Sequence, residues 1–170
     1  IITAAIGFAV SIDMKTVCDD YVAEWKAFHP SRAFSLGFHE EIFHFEDFSQ
    51  NHIAAWTAYN RDVLNVIDDA LPGLSVDQRI DARLLRTQIL SELNKWEKEA
   101  PHKNSPEFYS SFISRAVSQI LDSNILMRGE KVDVILERLE RIPVMCAAGK
   151  EMLENGSPER TKRSVSDLEK

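Results

Sequence analysis

The sequence predicts an all-α fold: an irregular antiparallel helical bundle of about six to eight helices, part of a larger helical protein. Three observations predict it. Apolar residues recur three and four positions apart in one segment after another, the spacing that lines one side of a helix. Serines stand before these segments and prolines or glycines after them, where caps and breakers belong. No segment alternates apolar and polar residues for long enough to insist on a strand.

Residues 1–12, IITAAIGFAVSI, are apolar and uncharged. They fall far short of the roughly 20 residues a membrane helix needs, so no membrane span is expected. They read either as the tail of a signal peptide, which would make the protein periplasmic or extracellular, or as a buried strand or helix lead-in ahead of the helical domain. That domain occupies residues 13–170. Val17, Tyr21, Trp25 and Phe28 mark a first amphipathic helix, stopped by His29-Pro30 because the residue before proline is pushed out of the helical region. Ser31 to Leu36 fits a short second helix with Gly37 as its cap. Phe38 to Phe48 is aromatic and acidic with no clear period and reads as a loop.

Ser49 caps a long helix to about Ala70, with Ile53, Trp56, Val63, Leu64, Ile67 and Leu71 as its stripe. Leu71-Pro72-Gly73 is a sharp stop, so the next helix should fold back as a hairpin. That helix, from Ser75 to Glu97, carries the strongest pattern. Ala82, Leu85, Ile89, Leu93 and Trp96 line one side, and Val76, Ile80 and Leu84 form a shorter stripe nearly opposite. Two stripes predict a helix held between neighbours in its first half. Pro106 starts another helix, with Phe112, Ile113, Ala116, Val117, Ile120 and Leu121, continuing to about Leu126. Arg128-Gly129 reads as a break. Val132, Ile135, Leu139 and Ile142 mark a further helix that Pro143 kinks or restarts. Met145, Ala148 and Met152 continue it to Asn155-Gly156, and Ser157-Pro158-Glu159 begins a last helix. The chain starts at Ile1 without methionine and stops at Lys170 within a helical pattern, which reads as a fragment.

Composition excludes several classes. A net charge of −7 argues against general attraction to nucleic acid. Cys18 and Cys146 are far apart and in no CxxC pair, which excludes metal-finger and thioredoxin-type readings, and they read as small core residues rather than a disulfide. KTVC ahead of Asp19 lacks the small residues of a lipoprotein cleavage site. There is no glycine-rich phosphate loop, no GxSxG elbow and no nucleophile with a credible base. His39 and His44 are five apart, not the four that would turn two imidazoles to one ion from one helical face. With His52, Glu40, Glu41 and Glu46 they read as a solvated acidic loop, and no residue of this chain is assigned to a metal. Asp19-Asp20, Glu40-Glu41 and Asp68-Asp69 read as solvated surface. Arg79, Arg83 and Arg86 fall on one side of the 75–97 helix. Three such forks could hold a carboxylate, such as a peptide terminus; the competing reading is pairing with acids of adjacent helices.

Pro30, Ala33, Leu36, Gly37 and His39, then Glu46 to Ser49, then Asp81, Leu84, Leu85, Arg86, Gln88, Glu92 and Leu93 follow a pattern. It resembles the N-terminal region of the bacterial domain of unknown function 885 family, whose members look like zinc metallopeptidases. The resemblance runs from about Cys18 to the end. The chain departs from the pattern near Lys103-Asn104, where Ser105 intervenes before Pro106 and a tryptophan is missing. Members carry a His-Glu-x-x-x-Gly-His-type zinc segment well downstream, so the resemblance implies no catalytic or metal residue here. It implies a non-catalytic helical region of a zinc metallopeptidase-like parent, partnered by the parent's remaining C-terminal part and walling a peptide-binding channel. Arg79, Arg83 and Arg86 would be its substrate-contacting residues, and zinc would belong to the parent. The alternative is a stand-alone helical binding or scaffold domain without enzymatic activity.

Overall fold

The computed structural model describes residues 12–154 and Lys162. The first eleven residues and the helix expected after Ser157 lie outside the described residues. Helices make up 83% of the described chain, with no strand among the described residues. They are α1 (Met14–Phe28), α2 (Pro30–Ser35), α3 (Gln50–Ala70), α4 (Val76–Leu93), the short α5 (Pro101–Asn104), α6 (Pro106–Asp122) and α7 (Arg128–Met152). The expected all-α bundle is what forms. A π-helical segment, Asn94–Glu99, continues α4.

Local chemistry sets most boundaries. Asp13 accepts from the Lys15 N–H at the start of α1, and Ser49 from the His52 N–H at the start of α3. Ser75 and Gln78 form a reciprocal capping box on α4. Gly37, at φ 98, takes the left-handed turn that ends α2. The 71–73 turn closes α3 onto α4 as an antiparallel hairpin, and α6 packs along α7. Where Gly149 of α7 meets the Tyr109 ring, a Cβ would lie 3.3 Å from three ring carbons, so glycine permits the close approach.

The main core gathers Tyr21, Trp25 and Phe28 of α1, Ile53, Trp56 and Ile67 of α3, Ala82, Leu85 and Ile89 of α4, and Trp96. Phe28 stacks on Trp56 at 4.9 Å and meets Trp96 edge-on at 5.3 Å. A smaller core, Phe34, Ile42, Ile120 and Val134, lies between α2, α6 and α7.

Several expectations are corrected. Val76, Ile80 and Leu84 are not sandwiched: they are 74%, 54% and 67% exposed, because α3 and α1 both pack on the Ala82–Leu85–Ile89 face. Arg128-Gly129 begins α7 instead of breaking it, the Met127 N–H donating to Glu130 Oε2 at 2.8 Å. α7 runs unbroken through Pro143, so the proline does not restart the helix. Pro143 lies on the solvent side, where water can satisfy the carbonyl it frees. The buried face of α7 is Val134, Arg138, Met145, Gly149 and Met152, while Val132 and Leu139 are exposed. The sequence stripe missed this because an arginine occupies its centre. Cys146 is exposed and Cys18 only half-buried, both as free thiols. α6 ends at Asp122, short of the expected Leu126.

Candidate functional site

The His29-Pro30 junction positions the first functional side chain. His29 leaves the helical conformation, its N–H still capping Trp25, and its ring turns into the core. There it meets Glu92, which occupies the slot between Ile89 and Trp96 on the buried face of α4. His29 Nε2 lies 3.1 Å from Glu92 Oε2. The same oxygen accepts from the indole N–H groups of Trp56 at 3.2 Å and Trp96 at 3.0 Å, and Gln88 donates to Oε1 at 3.2 Å. An indole nitrogen can only donate, so Oε2 must be an unprotonated acceptor. Burial opposes that charge, but the His29 hydrogen bond, the charge that ring carries once acid protonates it, and the two indole donors win, holding the Glu92 carboxyl down at about 2. At His29 burial dominates over the attraction of Glu92 and pulls the imidazole below its ordinary value. Near neutrality the ring is uncharged with its proton on Nε2, fixed toward Glu92.

One turn beyond Glu92 the helix widens. The Ala100 N–H donates to the Lys95 carbonyl at 2.9 Å, five residues back, and Ala100 itself sits in the left-handed region at φ 42, ψ 55. π-helical turns accommodate an extra residue and recur at functional sites. A non-glycine residue at positive φ stores strain, which also clusters at such sites. Here the segment sets Trp96 into the core while Lys95 lines a cavity.

That cavity, of about 610 Å³, opens between α2, the π segment and α6. Its cations are Arg32, Lys95 and Arg115; its acids are Glu46, Glu99 and Glu107; Ser31, Ser35, Ser105 and Ser111 add hydroxyls. Phe48, Phe108 and Phe112 form an aromatic wall, with Phe48 at 4.8 Å from Phe108 and 5.0 Å from Phe112. His29 lines it too, linking the cavity to the Glu92 centre.

Glu46 is the buried acid of the cavity lining. It is 6% exposed, and its carboxylate accepts from the Ser31 N–H at 3.0 Å and the Ser31 hydroxyl at 2.8 Å. Burial outweighs these bonds and the nearby Arg138, raising the carboxyl to about 7. Arg138, 1% exposed, donates to the Ala116 carbonyl and, at 3.2 Å, to the Ile42 carbonyl. It ties α7 to α6 and to the loop before α3.

The residues singled out in sequence lie elsewhere. Arg79 and Arg83 are exposed on the outer side of α4, and Arg86 pairs with Asp68 of α3 at 2.8 Å. None of the three lines the cavity. The histidines of the 39–52 stretch do not gather: His39 is exposed, His44 bonds Glu41 at 2.8 Å, and His52 stacks on Phe28 at 5.1 Å. Glu46, expected in a solvated loop, is buried because Ser31 supplies two donors. Among the described residues no three His, Cys, Asp or Glu side chains form a metal-holding group. Sequence reasoning missed Glu92, Lys95 and Glu46. Glu92 had a signal, since 82, 85, 89, 92 and 96 repeat at three and four, with a carboxylate standing in an apolar slot.

No family model matches the chain, and no curated protein matches it. Among solved structures it is similar to a protein from Shewanella oneidensis, provisionally described as a lipoprotein and of unknown function. The TM-score is 0.78 at 17% sequence identity, over 91% of this chain. This likeness establishes a shared fold. The chain spans 28% of that protein's length.

Proposed function

We propose that this chain is the non-catalytic N-terminal helical region of a larger, zinc metallopeptidase-like protein, and that its cavity walls part of a peptide-binding channel. The observation that carries the reading is the cavity itself. Its size suits a small ligand, and its aromatic wall, hydroxyls and charges of both signs match a peptide's mixture of apolar side chain, amide and charged terminus. Two further observations support a larger parent. The similar solved chain is several times longer. The exposed stripes Val76–Ile80–Leu84 on α4 and Val132–Leu136–Leu139 on α7 are apolar faces of the kind another part of a protein covers.

The test is the parent gene and its product. A His-Glu-containing zinc segment should follow downstream, and the full-length protein should bind zinc and cleave peptides. A gene without such a segment removes the peptidase reading. The alternative, a helical binding domain with no enzymatic parent, is favoured by one observation: this chain alone frames the cavity. Peptide binding by a protein lacking any zinc segment would select it.

A further inference from the structure

Three cations line the cavity in a protein of net charge −7, and among the described residues none of them has a carboxylate within ion-pair distance. Among the described residues Arg32, Lys95 and Arg115 form no ion pair, although Lys26, Arg61, Arg86 and Lys103 all do. Lys95 is half-buried, its ammonium 4.7 Å from the Trp96 ring centroid. Arg32 lies over Trp25 at 5.5 Å. Arg32 and Lys95 are near enough to repel one another. Burial first, and then Arg32, act to pull the lysine below its usual value, while Glu92, Glu99 and Glu46 act against them. Burying a lysine beside a like charge costs stability unless an anion joins them. The carboxylates that act on Lys95 are otherwise bonded, Glu92 to four donors, Glu46 to Ser31 and Glu99 to Asn94 at 2.7 Å, while Glu107, across the cavity lining, keeps a buried Oε1 without a hydrogen-bond partner.

The missing anion has a recognisable chemistry. Glu46, Glu99 and Glu107 line the same space, so a dianion such as phosphate would meet repulsion that a monoanion largely avoids. Phe108 and Phe112 are only partly buried and offer rings to an apolar side chain beside the cations. Ser105 and Ser111 can bond an amide.

Resting on the reading of the cavity as a peptide site, we propose that it is a carboxyl-terminal subsite. Lys95 and Arg32 bind the terminal carboxylate of a short peptide, Phe108 and Phe112 hold the large apolar or aromatic side chain of its last residue, and Arg115 completes the rim. This places carboxylate recognition on the cavity's own cations, away from the arginine line of α4.

The experiment is calorimetric titration of the full-length protein with N-acetyl-Phe-Phe as the free acid and as the C-terminal amide. The acid should bind at least about tenfold more tightly than the amide, as a charge-assisted bond outweighs a neutral one. Lys95→Gln should bring the two within about twofold by weakening the acid alone. Arg115→Gln, on a different helix, should weaken the acid less. Thermal unfolding of each variant establishes that it is folded. Equal binding of acid and amide overturns the subsite while leaving a peptide cavity in place. Binding of neither overturns both. Tighter binding of hexadecanoate than of the peptide acid assigns the carboxylate to a fatty acid and overturns the peptide source.

Discussion

Replacing Glu92 with leucine removes the acceptor on which the centre of the bundle converges. Two buried indole N–H groups, those of Trp56 and Trp96, would lose their partner at 3.2 and 3.0 Å, and His29 would lose the group that orients it. Each buried donor left unsatisfied costs about 1–3 kcal/mol, and breaking one side of a buried charged network typically costs about 3–5 kcal/mol. Leucine recovers part of this by sparing a carboxylate its burial, so a net loss of about 3–4 kcal/mol is expected. Glu92→Gln keeps an oxygen for the indoles but not the charge, and should lose about 2–3 kcal/mol. Urea unfolding followed by tryptophan fluorescence measures both, as a fall in midpoint at constant slope. The wild-type carboxyl adds a pH signature. Its pKa is lowered in the folded state, from 4.5 to about 2, so its contribution is complete above about 4.5 and is lost as pH falls toward 2. At full size that contribution is about 3 kcal/mol, and Glu92→Gln should abolish it. A leucine variant within about 1 kcal/mol of wild type, or more stable than the glutamine variant, would refute the reasoning.

Glu46 should behave in the opposite sense. Its pKa is raised, so relative stability is greatest below about 4.5 and falls as pH rises through about 7. Glu46→Gln should therefore stabilise the fold by about 1–3 kcal/mol at pH 8 and change little at pH 4, read from urea midpoints at the two pH values. Pro143→Ala restores an N–H inside α7 on its exposed side, and should stabilise by about 1–3 kcal/mol in thermal unfolding; no gain would mean the helix is already adapted to the ring. Ala100→Gly relieves the left-handed strain at φ 42 and should gain about 0.5–1 kcal/mol in the same assay. A loss there would mean that packing of the Ala100 methyl outweighs the backbone cost.

The sequence by itself determined the all-α class, the number and order of the main helices, and most of their starts. Caps and breakers act over a few residues, so Ser49, Ser75 and Pro106 do locally what they do in the bundle. Tertiary structure decided which stripes are core and where the charges sit. Val76, Ile80 and Leu84 have the spacing of a buried face, but no described helix covers them. Glu92, Arg138 and Glu46 are charged residues of the type usually assigned to solvent. Each is buried because partners distant in sequence supply its hydrogen bonds: His29 and Trp56 lie 63 and 36 positions from Glu92, and Ile42 lies 96 from Arg138. Periodicity carries no information about such meetings, which arise only when helices pack. The cavity belongs to the same class. Its cations come from α2, the π segment and α6, and only the packed bundle brings them to one space.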